Sequence, residues 1–352
     1  MKIQVRALYS VLLVFTLMLL IRTMFLYTEK TRRKSLHHSS NFWLKFINFT
    51  TTKNAAPLTL HPMRESVTLN DGVHTYHLNL SRFLVEFPYL QSYRCSVIHD
   101  PKRETQATRN LVILAIKSHP QAGVRRQALR KTWARKWEID GYSVRPIFLL
   151  GRIDVLGHME MVTTESREFG DILQWDSAEG HHNLSLKECC FLEWLHHNIP
   201  EVSFVYKGDD DEYVNPHALV RYIKEHTISP QVLYGYLRPH SPVMRFSKYQ
   251  VSESLFPSDT YPTFLSGGGF IFPGLSAKLL YEMSQKIPVF PLDDVYFGFL
   301  ALAANLTYKH DARFHVYGLK FDACQYRQAL VVHGLEQEQL VKCWKEVQHA
   351  KC

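Results

Sequence analysis

Three consecutive aspartates, Asp209, Asp210 and Asp211, close an apolar run in VSFVYKGDDDEYVN. Val202 to Tyr206 are β-branched or aromatic at nearly every position, which predicts a buried strand. The chain is expected to leave that strand at Gly208 and to present carboxylates at its carboxyl edge, where open α/β sheets bind ligands. Aspartates at i and i+2 of extended backbone point the same way, so Asp209 and Asp211 can share one ligand while Asp210 faces away. Oxygen-only donors suit Mg²⁺ or Mn²⁺, and such sites are usually completed by substrate phosphates. An acidic solvated turn or a calcium loop would use the same residues. An EF-hand would not, because it needs a longer alternating loop with a closing Glu.

A second acidic pair, Asp293-Asp294, stands directly before an apolar segment, Val295 to Ala304, that reads as a helix. Carboxylates there are favoured by the helix dipole and by free N–H groups, so one of the two is expected to be structural, Asp293 as N-cap with Asp294 in the first turn. The other can face a cleft, and a carboxylate at the edge of an apolar pocket can act as a general base. Two carboxylates alone would also fit a glycosidase. A metal-aspartate cluster at a sheet edge favours a phosphate-bearing donor instead.

These groups need a scaffold. LVILAI from Leu111 predicts a strand, Val124 to Trp137 a helix, Pro146 to Gly151 a second strand, Asp171 to Leu173 a third, and Leu184 to Leu195 a second helix. The β-α-β-α-β order implies an α/β fold with a parallel sheet and helices on its faces. Beyond Pro230, YGYLRP predicts a strand and Leu275 to Ile287 a helix. YPTFLSGGGFIFPG places three glycines between apolar runs, either as a bulged hairpin or where backbone approaches a ligand closely; they lack the dinucleotide-binding spacing.

The chain has 352 residues, room for one large domain or two modest ones, and 46% apolar content supports a sizeable core. Its formal net charge of +8 is concentrated at one end: residues 1–34 hold seven of the 41 Lys/Arg and one of the 33 Asp/Glu, leaving +2 for the body. A nucleic-acid binder would carry its excess on the body, so that class is set aside. Residues 7–27 are almost wholly apolar apart from Arg22, about the 20 residues that span a bilayer, and no small-residue cleavage site follows. The expected organisation is a cytoplasmic tail over 1–6, a signal-anchor helix over 7–27, a polar stem over 28–70 and a lumenal body over 71–352. Sequons at Asn48, Asn79, Asn183 and Asn305, and six cysteines, agree with a lumenal, oxidising location. Six cysteines allow 15 pairings, and spacing selects none.

The order of motifs resembles the β-1,3-glycosyltransferase family of the Golgi (glycosyltransferase family 31). The matching segments are LAIKS, RRQALRKTW, FLLG, EFGDILQWD, NLSLKE, FVYKGDDDEYVN, YPTFLSGGGF and DDVYFG, in order from Leu114 to Gly298. SGGGF and the tail from Phe321 to Trp344 are most similar to the N-acetylglucosaminyltransferase branch. The resemblance implies a GT-A fold, with a nucleotide-sugar half over about 105–215 and an acceptor half over about 216–352. It implies inverting transfer of GlcNAc from UDP-GlcNAc, with Mn²⁺ or Mg²⁺, to the 3-hydroxyl of a β-galactose-terminated glycan on glycoprotein or glycolipid. The branch that uses UDP-Gal is the alternative. Carried over by position, Asp209, Asp210 and Asp211 form the DxD motif, with Asp211 on the metal and Asp209 on the ribose or a metal-bound water. Asp294 is implied as the base, with Asp293 as runner-up; Arg126 and Arg130 as neighbours of the nucleotide; and Lys207 beside the metal strand. Glu212, where a small apolar residue is usual, and Gln250, where a second aromatic is usual, depart from the pattern.

From another class, a lumenal glycan-binding protein that kept the fold and lost turnover would share most of these motifs. Tyr261, Phe264 and Phe270 read as core before acceptor lining, and the pairs His181-His182 and His196-His197 as surface or helix ends before ligands. Acceptor identity and any homo-oligomeric state are not written in the sequence.

Overall fold

Leu111–Lys117 is the central strand of the protein, and its alternation shows why: Ile113 and Ala115 enter one hydrophobic core, while Val112, Leu114 and Ile116 enter a second on the opposite face. A strand buried on both faces must read as continuous apolar sequence, as this one does. The structure, a computed structural model, describes residues 65–102, 110–155, 157–225 and 229–352. The expected tail 1–6, signal-anchor 7–27, most of the stem and Asn48 lie outside the described residues. Among the described residues, no helix is long and apolar enough to cross a membrane.

Among the described residues, nine strands form the main sheet. Its order is Thr307–His310, Val232–Arg238, Phe264–Pro273, Phe204–Asp209, Leu111–Lys117, Tyr142–Arg152, Ile172–Ala178 and Val97–His99, with Trp137–Ile139 paired beside Tyr142–Arg152. The four inner strands from Phe204–Asp209 to Ile172–Ala178 are parallel, as the β-α-β-α-β order predicts. The outer part is not: Phe264–Pro273 runs antiparallel to Phe204–Asp209, and Val97–His99 antiparallel to Ile172–Ala178. The sheet is therefore mixed.

The path of the chain creates a switch point. From Leu111–Lys117 it adds Tyr142–Arg152 and then Ile172–Ala178 on one side, and returns to add Phe204–Asp209 on the other. The carboxyl ends of Leu111–Lys117 and Phe204–Asp209 thus lie side by side, Lys117 in register with Asp209. Such a crevice is where open α/β sheets hold ligands.

Helices cover both faces. Leu184–Asn198, Gly274–Ser284 and Asp293–Ala303 pack on one another over one face, and Gly123–Arg130 packs with Gln337–His349 over the other. Disulfides join Cys95 to Cys190 and Cys324 to Cys352, while Cys189 and Cys343 are thiols. Tyr261, Phe264 and Phe270 are core residues.

The helix expected over Val124–Trp137 ends at Arg130. The Thr132 hydroxyl donates back to the Ala128 and Leu129 carbonyls, and the Trp133 indole donates to the Glu212 carbonyl at 2.8 Å. Trp133 is thus buried from a turn, and Trp137 opens a strand. The helical spacing of Ala128, Leu129 and Trp133 reports real burial, but tertiary anchoring rather than helix supplies it.

Candidate active site

A cleft of about 410 Å³ opens at the switch point. Lys117, Ser118, Arg125, Lys187 and the three aspartates line it. A larger cavity, about 500 Å³, lies among the strand beginnings near Leu111 and Pro146 and contains none of the acidic cluster.

The strand holds its last residue in register through Asp209, one residue past the expected exit at Gly208. Glycine is needed there because a Cβ would collide with the Glu212 carboxyl and the Tyr206 hydroxyl, which hydrogen-bond to each other. The turn then folds Glu212 beneath the strand. Asp209, Asp211, Glu212 and His333 each place one ligand atom within 4.8 Å of the others. His333 arrives from far along the chain: Val331–Val332 pairs with Tyr213–Val214 just beyond the aspartates, and Leu335 N–H donates to the Asp211 carbonyl at 2.8 Å.

This cluster has the chemistry of a divalent-cation site. Buried Asp211 Oδ1 and Glu212 Oε1 have no hydrogen-bond partner, and His333 Nε2 stands 3.6 Å from Asp211 Oδ1. Burial, and then repulsion from Asp209, push the Glu212 carboxyl well above the usual range; burial also raises Asp211, against the pull of His333. A bound cation would reverse that balance. Three carboxylates and one imidazole fit Mn²⁺, and Mg²⁺ less well, since Mg²⁺ favours oxygen alone.

Asp210 points elsewhere. Its Oδ2 accepts from the Ser118 hydroxyl at 2.6 Å, and Arg125 lies 3.7 Å from its Oδ1. Ser118 is held in turn by Arg126, whose Nη1 donates to the Ser118 hydroxyl at 3.0 Å and to the His119 carbonyl at 2.6 Å.

Lys117 joins the aspartate triplet to the second acidic pair. Its Nζ lies 3.0 Å from Asp209 Oδ1 and 2.6 Å from Asp293 Oδ2. Burial works against the ammonium, but the carboxylates of Asp209, Asp293 and Glu188 outweigh it and hold Lys117 well above an ordinary lysine. The same contact separates the roles of Asp293 and Asp294. Burial would raise Asp293, yet Lys117 and Lys207 dominate and hold it well below the usual carboxylate range. For Asp294 the same lysines are outweighed: burial, then the neighbouring Asp293, push it up to about 6. Neither is the N-cap of the Asp293–Ala303 helix; that position is Leu292. Asp294 accepts from the Val295 N–H through Oδ1, and Gly267 lies against its side chain. A Cβ on Gly267 would sit 3.7 Å from Asp294 Cβ and 4.0 Å from Lys117 Nζ.

Three expected donor-site residues stand apart. Arg126 is fully buried, bonded to Glu165 as well as to the Ser118 loop. Arg130 bonds Glu165 and Asp171, lies over Phe148 and Phe169, and faces the larger cavity. Lys207 is buried on the far face of its strand, 2.6 Å from Glu188 and over Phe270. Their charges are spent on structure, and the guanidinium that reaches the cleft is Arg125, one residue earlier in the helix. Gln250 is exposed. Of the sequons, Asn305 is exposed; Asn79 caps a helix by accepting from Ser81 N–H, and Asn183 Nδ2 donates to the Ala178 carbonyl.

With the geometry defined, comparison with known proteins identifies the class. Residues 124–312 match the family model described as Galactosyltransferase. A human acetylgalactosaminyl-O-glycosyl-glycoprotein β-1,3-N-acetylglucosaminyltransferase is 34% identical over 252 residues, covering 66% of this chain and 65% of that protein. Mouse β-1,3-galactosyltransferase 5 is 33% identical over 68% of this chain and 80% of its own length. Rat UDP-GlcNAc:betaGal β-1,3-N-acetylglucosaminyltransferase 7 is 32% identical, over 66% and 63%. The chain belongs to this family of glycosyltransferases, and the β-1,3-glycosyltransferase resemblance of its motifs is borne out. Near-equal identity to both kinds of relative leaves the donor sugar open.

Proposed function

We propose that this chain is an inverting, UDP-sugar-dependent hexosyltransferase that moves GlcNAc onto the 3-hydroxyl of a β-galactose-terminated glycan. One observation carries the reading: a carboxyl with a raised pKa, Asp294, lies beside Lys117, which reaches Asp209 of a cluster holding orphaned carboxylate oxygens.

Asp209, Asp211, Glu212 and His333 would hold Mn²⁺, with Mg²⁺ as the substitute. When bound, the ion neutralises charge building on the departing diphosphate. The protein's residues do the rest. Arg125 offers a cation on the cleft wall for phosphate or ribose. Ser118, fixed by Arg126, locks Asp210 and so keeps the turn in one geometry. Lys117 pairs with Asp209 and keeps Asp293 ionised, while Asp294 can exchange a proton near neutral pH. Asp294 takes the proton of the acceptor 3-hydroxyl as that oxygen bonds the anomeric carbon, and the bond to UDP breaks on the opposite side of the sugar. Gly267 leaves room for the sugar ring beside Asp294. No covalent enzyme intermediate is required. The body would act in the Golgi lumen, anchored as a single-pass type II membrane protein, which the disulfides and sequons support.

The test is a donor-by-acceptor assay with and without chelator. Transfer of GlcNAc to a lactosamine acceptor, lost on chelation and restored by Mn²⁺, is the expected result. Transfer from UDP-Gal alone would reassign the donor. Glycan binding with no release of UDP from either donor would reassign the protein to the lectin class.

A further inference from the structure

Asp71, His74 and His240 form a second cluster of metal-binding donors, remote in sequence from the residues of the cleft. Asp71 and His74 lie in the turn of the hairpin built from Ser66–Asn70 and Thr75–Asn79, which forms a two-stranded sheet of its own. His240 lies in the loop that follows the Val232–Arg238 strand of the main sheet. One donor atom of each falls within 4.8 Å of the others, and the two imidazole centroids are 5.0 Å apart.

The groups are oriented in advance. Asp71 Oδ1 accepts from the N–H groups of Val73 and His74 at 2.9 and 2.7 Å, and Oδ2 accepts from the Tyr76 hydroxyl at 2.8 Å. Tyr76 is itself fixed in the core against Phe256 and Phe299. His240 adopts a left-handed φ of 41°, uncommon for a residue with a side chain. Its Nδ1 is buried and without a hydrogen bond, 3.6 Å from Asp71 Oδ2, too far for one. A buried ring nitrogen aimed at a carboxylate it does not reach is a position that an ion between them would satisfy.

We propose that Asp71, His74 and His240 bind a transition-metal ion of the Zn²⁺ class, which fastens the hairpin to the acceptor half of the body. Two imidazoles and one carboxylate are a tetrahedral donor set with one position left for water. It contrasts with the carboxylate-rich cleft, which suits a harder ion. The hydrogen bond from Tyr76 to Asp71 would set the carboxylate orientation, a kind of support whose loss typically weakens metal binding about 10–100-fold.

The test uses the full chain carrying Asp209→Asn and Asp211→Asn, which silence the cleft, stripped of metal and titrated with Co²⁺ as a spectroscopic stand-in for Zn²⁺. One Co²⁺ per chain with tetrahedral visible absorption, displaced by Zn²⁺, is expected. That signal should vanish in His240→Ala and in His74→Ala, the latter at an exposed side chain whose loss spares the fold. In Tyr76→Phe it should persist with affinity lowered about 10–100-fold. His181→Ala and His197→Ala should leave it intact. No tetrahedral signal in the parent, or one that survives His74→Ala and His240→Ala, would overturn the site and leave His240 and Asp71 as a simple ion pair. Because the cleft is silenced, this outcome is independent of whether the transferase reading holds.

Discussion

Two charged regions sit on the same mixed sheet and behave in opposite ways. Under the Gly123–Arg130 helix, Arg126 and Arg130 face Glu165 and Asp171, with nitrogen–oxygen distances of 2.6 to 2.8 Å. Charges balance, every carboxylate has a guanidinium, and burial, which would raise Glu165, is overcome by both arginines. In the cleft, the four carboxylates of Asp209, Asp210, Asp211 and Glu212 meet two fixed cations, Lys117 and Arg125, and the side of His333 among the described residues. Carboxylate oxygens there are buried without partners. A closed network is a fastener; an open one is a socket. The sequence marks both with the same residue types, and only the partner geometry tells them apart.

The strongest way to break this contrast is to remove a carboxylate from the open side. Asp211→Asn should cost about 4 kcal/mol of transition-state stabilisation, roughly a thousandfold in kcat/KM, if the cation supplies its usual share. The melting temperature should hold or rise, because a poorly partnered buried carboxyl is removed. A large loss of stability would place Asp211 among the fasteners instead.

Asp294→Asn comes next. Loss of a positioned base is worth roughly 10²–10⁴-fold in kcat. Mn²⁺-dependent binding of UDP-sugar, followed by calorimetry, should be nearly unchanged because Asp294 is not in the metal cluster. Lost binding in a folded variant would move Asp294 to the donor site.

Much of this was legible because it is local. The aspartate turn follows an apolar strand within one segment, and the parallel pairing of the inner strands follows from their alternation with helices. Lys117 was hidden because a lysine at the end of LVILAIK reads as a solvated strand terminus; its partner Asp293 is supplied by a helix far along the chain. His333 was invisible for a related reason. Nothing in VVHGLE announces a ligand, and the short pairing of Val331–Val332 with Tyr213–Val214 is what delivers it. Arg125 and Arg126 differ by one helical step, about 100° of rotation, and the choice between cleft and core depends on how the helix is docked. The antiparallel outer strands likewise depend on long returns that spacing does not encode.

The pH dependence sharpens the contrast further. Asp294 must be ionised to accept a proton, and its pKa is pushed up to about 6, so kcat should fall about tenfold per pH unit below 6 and level off above about 7. Asp293, held low by Lys117, stays ionised throughout this window and should add no second limb. Stability runs the other way. The folded state holds the Asp294 proton where the unfolded chain has lost it, so the contribution of this residue declines as pH rises from the ordinary aspartate value of 3.8 through about 6. Activity and stability profiles with opposite slopes in that interval would assign the titration to Asp294. An acid limb unchanged in Lys117→Met, where the partner that separates the two carboxyls is gone, would remove the assignment.

The smallest effect on turnover belongs to the closed network. Arg130→Ala leaves Asp171 without its two guanidinium bonds and Glu165 with Arg126 alone, all partly or wholly buried. Breaking a buried pair by removing one partner costs about 3–5 kcal/mol, to which lost packing over Phe148 and Phe169 adds. Urea unfolding should show that loss in full. The fraction that stays folded should transfer sugar with unaltered KM for the nucleotide, since Arg130 faces the cavity at the other end of the strands. A raised KM for UDP-sugar at unchanged stability would return Arg130 to the nucleotide site, where the family pattern had placed it.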